Sequence, residues 1–301
     1  MVVITLVLVS AGAFSEPVVP RGFSSQRQLL GTNLLLMLMP SYLIFAWGLS
    51  VRRSRSLLEQ VDALFGVSAY AAAVRAPRRH MAIGAAIGAV YAVLFNLPVA
   101  SLGDLIAGGR LLMCLVLLMI LVWVTVGLVL ASRLYIASLF HRAGRAEPLD
   151  PYDMSALEPF ARSGMGDVAL AIGALVLATV QSIDATFRYQ NYLFSSIVAV
   201  PACLLLLFLP MYALHARLRD MKKRELAEVR AMIRAMPKPL AIEDMSALET
   251  LLQRRDRIEG LASWPLNVSM ISKLLIYGVI PPAAWIGAAL MERLIEEFLA
   301  G

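Results

Sequence analysis

The sequence predicts an all-α fold, a polytopic helical membrane bundle of about six transmembrane helices with a cytoplasmic helical hairpin, on three observations. Of its 301 residues 59% are apolar and 16% charged, with a mean hydropathy of +0.74, whereas a soluble domain carries about a quarter charged residues. The apolar residues gather into runs of about 20, the length a helix needs to cross roughly 30 Å of hydrocarbon. The basic residues collect between those runs, on alternate linkers. A transmembrane barrel would show alternating segments of about ten residues between turn signals, and none is visible.

The six runs are 28–50, 81–99, 111–132, 165–183, 192–215 and 268–290. Most of the 27 Lys and Arg fall on the first linker (Arg52, Arg53, Arg55, Arg75, Arg78, Arg79), the third (Arg133, Arg142, Arg145, Arg162) and the fifth, from Arg217 to Arg257; the second and fourth hold only Arg110 and Arg188. The positive-inside rule makes the crowded linkers cytoplasmic. A bacterial inner-membrane protein with both termini outside is expected, and its +6 charge calls for a bilayer, with no nucleic acid as partner. The opening MVVITLVLVSAGAF resembles a signal peptide in its apolar stretch but lacks the basic n-region; it reads as a retained apolar segment, too short to cross alone. The chain thus divides into an N-terminal segment (1–27), a five-span region (28–216) with cytoplasmic linkers 51–80 and 133–164, a cytoplasmic part (217–266) and a last span with tail (267–301).

The fifth run continues past His215 as ARLRDMKKRELAEVRAMIRAM, without Gly or Pro until Pro237. Leu226, Val229, Ile233 and Met236 recur at 3-4-3 spacing, a narrow apolar seam that must pack on something and is the candidate surface for a cytoplasmic protein partner. Pro237 and Pro239 end that helix, and Met245, Leu248, Leu252 and Ile258 mark a second. Two arms of about 18 residues give a hairpin reaching roughly 27 Å, or a pair of helices lying on the bilayer surface. The hexapeptide DMSALE occurs twice; in each copy Ser followed three residues on by Glu is a capping box, so Ser155 and Ser246 are expected at helix N-termini.

Chemistry is sparse. His80, His141 and His215 each sit beside arginine near a cytoplasmic boundary, without a second ligand at helical spacing. No nucleophile elbow, zinc-binding HExxH, phosphate loop or paired carboxylates lie in a span. No catalytic residue, metal ligand or cofactor is therefore assigned, and enzyme activity is disfavoured. Cys114 and Cys203 lie in apolar runs, as small hydrophobes do. Polar groups at depth are costly and are functional suspects by default: Asn96, Gln181, Asp104 and Asp184 form the candidate polar path, with Asp167 at the start of the fourth run. Small residues four apart, Gly84 with Gly88, Ala169 with Gly173, Ala174 with Ala178 and Ala283 with Gly287, allow close helix approach within a bundle or a homo-oligomer.

Prolines mark three runs at depth: Pro40, then Pro201 and Pro210, then Pro281 and Pro282. Each removes an N–H and frees the carbonyl four residues earlier, namely Leu36, Ile197, Leu206, Tyr277 and Gly278. Freed carbonyls must be buried in protein or face water, so Tyr277, Gly278, Pro281, Pro282, Pro201 and Pro210 are the candidate pore or hinge residues. The run 268–290 is long enough to cross, and a re-entrant hairpin is the alternative. The phrases DMSALEPFAR, LPMYALHARL, SWPLN and IPPAAWIG resemble segments of a group of uncharacterised prokaryotic multi-pass membrane proteins. That resemblance covers the second half of the chain and implies topology, not activity. Two readings lead: an oligomeric pore or ion channel lined near its broken helices, and a membrane sensor or scaffold signalling through its cytoplasmic hairpin. A secondary transporter or a lipid-modifying enzyme fits less well.

Overall fold

The computed structural model describes residues 1–14, 26–65, 69–75, 77–96, 109–146, 157–178, 180, 190–236, 242–261, 264, 272, 273, 276, 279, 283, 287 and 290. Among them the protein is all-helical, with α1 (Val2–Ser10), α2 (Gln26–Phe65), α3 (Ala69–Ala72), α4 (Arg78–Asn96), α5 (Gly109–Ala146), α6 (Glu158–Ala178), α7 (Gln190–Ala235) and α8 (Ile242–Gly260). Four stretches, Leu29–Leu64, Arg110–Arg145, Glu158–Ala178 and Ser196–Ala235, are long and apolar enough to cross a membrane, as in an integral membrane protein. They overlap the first, third, fourth and fifth runs, and only the third lies wholly within its stretch. The second run became α4, which opens on Arg78, Arg79 and His80 and is not among the four. The sixth is described only at isolated positions, and Tyr277, Gly278, Pro281 and Pro282 lie outside the described residues.

Three helices are far longer than a bilayer requires. The 40, 38 and 46 residues of α2, α5 and α7 extend about 60, 57 and 69 Å, against roughly 30 Å of hydrocarbon. The sequence placed linkers at 51–80 and 133–164, but each begins as an unbroken continuation of its span. The reason is packing: Leu57, Leu58 and Val61 on α2 and Ile136, Leu139, Phe140 and Ala143 on α5 recur at helical spacing, and all are buried in one core with Phe160, Met211 and Leu214. The rings of Phe140 and Phe160 meet edge to face at 5.7 Å. Burying each such side chain stabilises the fold by roughly 1.5–3 kcal/mol, which outweighs the charge between them. Asp62, also buried, accepts the Tyr70 and Ala71 N–H groups at 3.2 and 2.9 Å and so fixes α3 on α2.

A second core, around Leu8, Leu35, Leu36, Leu111 and Leu115, fills the other end of the bundle. The short α1 packs there through Leu8, and Gly12, at φ 84, supplies the left-handed turn that ends it. Ala13 next presents its carbonyl to Asn33 Nδ2 at 3.3 Å.

The small residues of α4 do what their spacing promised. A methyl on Gly84 would overlap the Gly127 carbonyl, one on Gly88 the Trp123 carbonyl, and one on Gly127 the Gly84 carbonyl. Backbone therefore touches backbone between α4 and α5, and Tyr91 and Trp123 close the seam with ring centroids 4.4 Å apart. Gly127, invisible as a motif because it stands alone, is the other half of the GxxxG pair.

The prolines do not interrupt the helices that hold them. α2 continues through Pro40, and α7 through Pro201 and Pro210. Pro201 is exposed and Pro210 buried. Leu206, whose carbonyl Pro210 leaves without its helical donor, lies 4% exposed, and that oxygen faces Gly164 of α6, 3.0 Å from where a Cβ would stand. This freed acceptor is thus held inside the bundle, as an unsatisfied carbonyl at membrane depth requires.

α8 packs along the end of α7. Lys222 Nζ donates to the Glu259 and Leu261 carbonyls at 2.6 and 2.9 Å, capping α8, and Arg230 lies 3.5 Å from Glu259. Val229 and Ile258 are fully buried, while Leu226, Ile233 and Met236 are half-buried. Ser246 is no cap: α8 begins at Ile242, a turn earlier, and the Ser246 carbonyl accepts the Thr250 hydroxyl within the helix. Ser155 lies outside the described residues.

Candidate functional site

Three helices converge on a buried polar cluster where their apolar stretches end. On α2, Ser50 and Ser54 stand four residues apart on the inward stripe; on α6, Ser163 and Asp167 do the same. Arg133, the first charge after 22 uncharged positions of α5, enters between them. Its Nη2 lies 2.8 Å from each carboxylate oxygen of Asp167 and donates to Ser54 Oγ at 2.7 Å. Ser50 Oγ donates to Asp167 Oδ1 at 2.8 Å. The side chains of the ion pair are only 5% and 4% exposed.

The surroundings carry the same theme. Trp47, one turn before Ser50, donates its indole N–H to Ser132 Oγ at 3.0 Å, tying α2 to α5 beside the ion pair. Arg53 lies across Gly166, where a Cβ would stand 2.6 Å from its Nη1, and donates to the Arg162 carbonyl at 3.1 Å. One turn further along α6, Tyr42 donates its hydroxyl to the Leu170 carbonyl at 2.8 Å, in a space that any Cβ on Gly173 would fill. Gly173, chosen from sequence as a helix-packing residue, admits a tyrosine hydroxyl instead. Tyr42→Phe is expected to cost about 1 kcal/mol, a neutral hydrogen bond's usual net contribution. Gly173→Val should cost more, about 1–3 kcal/mol, because it displaces the whole ring; thermal unfolding of the two purified variants checks that order.

A buried ion pair adds little net stability over apolar packing, yet removing one partner is strongly destabilising. This pair is also unevenly served. Arg133 Nε and Nη1 and Ser163 Oγ are buried without a hydrogen-bond partner, while Nη2 carries every contact of the guanidinium. Donors desolvated this way cost about 1–3 kcal/mol each. The cluster nevertheless ties α2, α5 and α6 together through Ser50, Ser54, Arg133 and Asp167.

No family model, curated protein or solved structure matches the chain. The site is therefore interpretable only from its own geometry.

Few of the residues singled out from the sequence meet at this cluster. Gln181, Asp104 and Asp184 lie outside the described residues, and Asn96 is the last residue of α4 with its side chain outside them. Pro210 is buried, and the Leu206 carbonyl it frees faces Gly164 of α6, whereas Pro201 is exposed. Leu226, Val229, Ile233 and Met236 lie on the helix that α8 covers. In the sequence Asp167 stands out as a carboxylate at the head of a run and Arg133 reads as a linker cation, while nothing marks Ser50, Ser54 or Ser163. The available signal was that Arg133 closes one uncharged stretch and Asp167 opens the next.

The three histidines pack against aromatic rings. His215 stacks on Trp264 at 4.1 Å, His141 stacks on Tyr212 with Nδ1 3.2 Å from the Leu209 carbonyl, and His80 lies 5.4 Å from Tyr135. No group of three His, Cys, Asp or Glu side chains that could hold a metal occurs among the described residues.

Proposed function

We propose that this is a bacterial inner-membrane sensor or scaffold of six spans, N-terminus outside, in which α7 and α8 form a cytoplasmic hairpin. The observation that carries the reading is continuity: α2, α5 and α7 pass without interruption from their apolar stretches into one shared core around Phe140, Phe160 and Leu214. Any tilt or shift of these helices in the bilayer then moves that core and the hairpin attached to it. The Arg133–Asp167 cluster sits at the crossover and fixes the resting register. Basic linkers at this end support the orientation. The filled interior supports a scaffold over the pore also suggested by the prolines: Leu35, Leu36, Leu115, Val122 and Leu206 are buried along it. A homo-oligomer or a cytoplasmic protein would receive the signal.

The test uses the full chain with Cys114 and Cys203 replaced by Ala and spin labels at Met232 and Met245, both exposed. In proteoliposomes the interlabel distance is expected to change under membrane tension, voltage or altered lipid composition, with ion flux equal to that of empty vesicles. A static distance removes the sensor reading, and flux above empty vesicles replaces it with the pore.

A further inference from the structure

We propose that the free face of α4 is a binding site for an anionic phospholipid, with its phosphate at Arg78 and Arg79 and an acyl chain along the helix. Among the described residues α4 packs chiefly on α5, through the glycine seam. Its opposite face is bare: Ile83, Ile87, Val90 and Leu94 are 50%, 63%, 57% and 62% exposed. These four continue the register of Arg79 at spacings of 4, 4, 3 and 4, so they and Arg79 form one stripe down one side of the helix. From Arg79 to Leu94 the stripe runs about 22 Å, enough to span one leaflet's share, about 15 Å, of the hydrocarbon.

The basic end of the stripe is built and unspent. Arg78, Arg79 and His80 are exposed, and no carboxylate pairs with either arginine among the described residues. The His80 ring is set against Tyr135 of α5 at 5.4 Å, which holds this turn at the edge of the seam, beside the stripe. Unpaired cations immediately above an apolar stripe match a lipid on both counts: phosphate beside guanidinium, chain beside isoleucine and valine. A zwitterionic headgroup offers the phosphate too, but its own ammonium offsets the charge the arginines would otherwise meet, and an uncharged lipid satisfies only the second match. Each arginine near an anionic surface contributes about tenfold or less to attraction, so two of them discriminate between headgroups measurably.

The inference rests on α4 crossing the bilayer with its basic end inside. That premise has a separate readout: a cysteine at the exposed Ala86 should resist a membrane-impermeant maleimide in sealed vesicles, and labelling there would overturn the topology rather than the lipid preference. For the site itself, the purified full chain in detergent is titrated with phosphatidylglycerol or phosphatidylcholine and followed by melting temperature and native mass spectrometry. Phosphatidylglycerol should be retained and raise the melting temperature, phosphatidylcholine should not, and R78Q/R79Q should weaken the preference at least tenfold. R254Q/R257Q, with the same charge loss on α8, should leave it intact. Equal response to both lipids, equal loss in the α8 variant, or the full effect from glycerol phosphate without acyl chains would each overturn the proposal.

Discussion

Asp167→Ala is expected to lower the stability of the purified protein by about 3–5 kcal/mol, among the largest single-residue effects in the molecule. The reason is the partner left behind. Arg133 is buried to 5% exposure, its Nη2 holds both carboxylate oxygens, and its remaining nitrogens already lack acceptors. Without the carboxylate it would keep one hydrogen bond, to Ser54, and a full charge out of water. Arg133→Leu should cost less, because leucine refills much of the vacated volume and Asp167 keeps the hydrogen bond from Ser50, whereas Asp167→Ala strands a permanently charged guanidinium beside a cavity.

The pair then gives a sharp test by double substitution. Arg133→Met combined with Asp167→Leu removes both charges and refills the volume, and should recover most of the loss seen in Asp167→Ala. Thermal unfolding of the wild type, the single variants and the double variant supplies the cycle. Near-additive losses would mean that each residue matters for its own packing, and the ion pair would lose its place as the tie between α5 and α6. If the cluster sets register, the double variant should also show a changed distance between Met232 and Met245 despite restored stability. A merely structural role would restore both.

The class of the fold was legible because run length and linker charge are local properties of the chain. The long α7 was legible too, since nothing from Ala216 to Met236 can break a helix. The equal reach of α2 and α5 was not, because Arg52, Arg53 and Arg55 or Arg142 and Arg145 read as solvated linkers while Leu57, Leu58 and Val61 or Ile136 and Phe140 hide between them. Their helicity depends on burial against Phe160 and Leu214, which only the assembled bundle supplies. The ion pair was obscured for the same reason: Arg133 and Asp167 are 34 positions apart and become neighbours through the crossing of α5 and α6 beside α2. Gly84 and Gly88 announced a seam, yet a single Gly127 could not announce that it was the answering surface. Ser246 misleads because a capping box is a four-residue signal, and the preceding Ile242 to Met245 are helical as well.

Gly127→Leu should detach α4 from the bundle, and the argument is steric rather than electrostatic. At this position a Cβ already overlaps the Gly84 carbonyl and would stand 3.2 Å from the Gly88 Cα; both neighbours are backbone and cannot rotate aside. The helices must separate along the whole contact, because Gly84 and Gly88 press against Gly127, Ala131 and Trp123 over the same turns. Overpacking of a side-chain core typically costs 1–3 kcal/mol, and a backbone-to-backbone contact has less room to relax, so a loss of about 3 kcal/mol or more is expected. Gly48, with nothing within 4 Å of its Cβ position, is the control: Gly48→Leu should cost little. The distinguishing measurement is hydrogen exchange resolved by segment, which should rise in α4 for Gly127→Leu while α6 and α7, which do not rest on that seam, keep their protection. Uniform loss of protection across all helices would show instead that α4 is integral to the bundle's folding, and a free lipid-facing helix would no longer describe it.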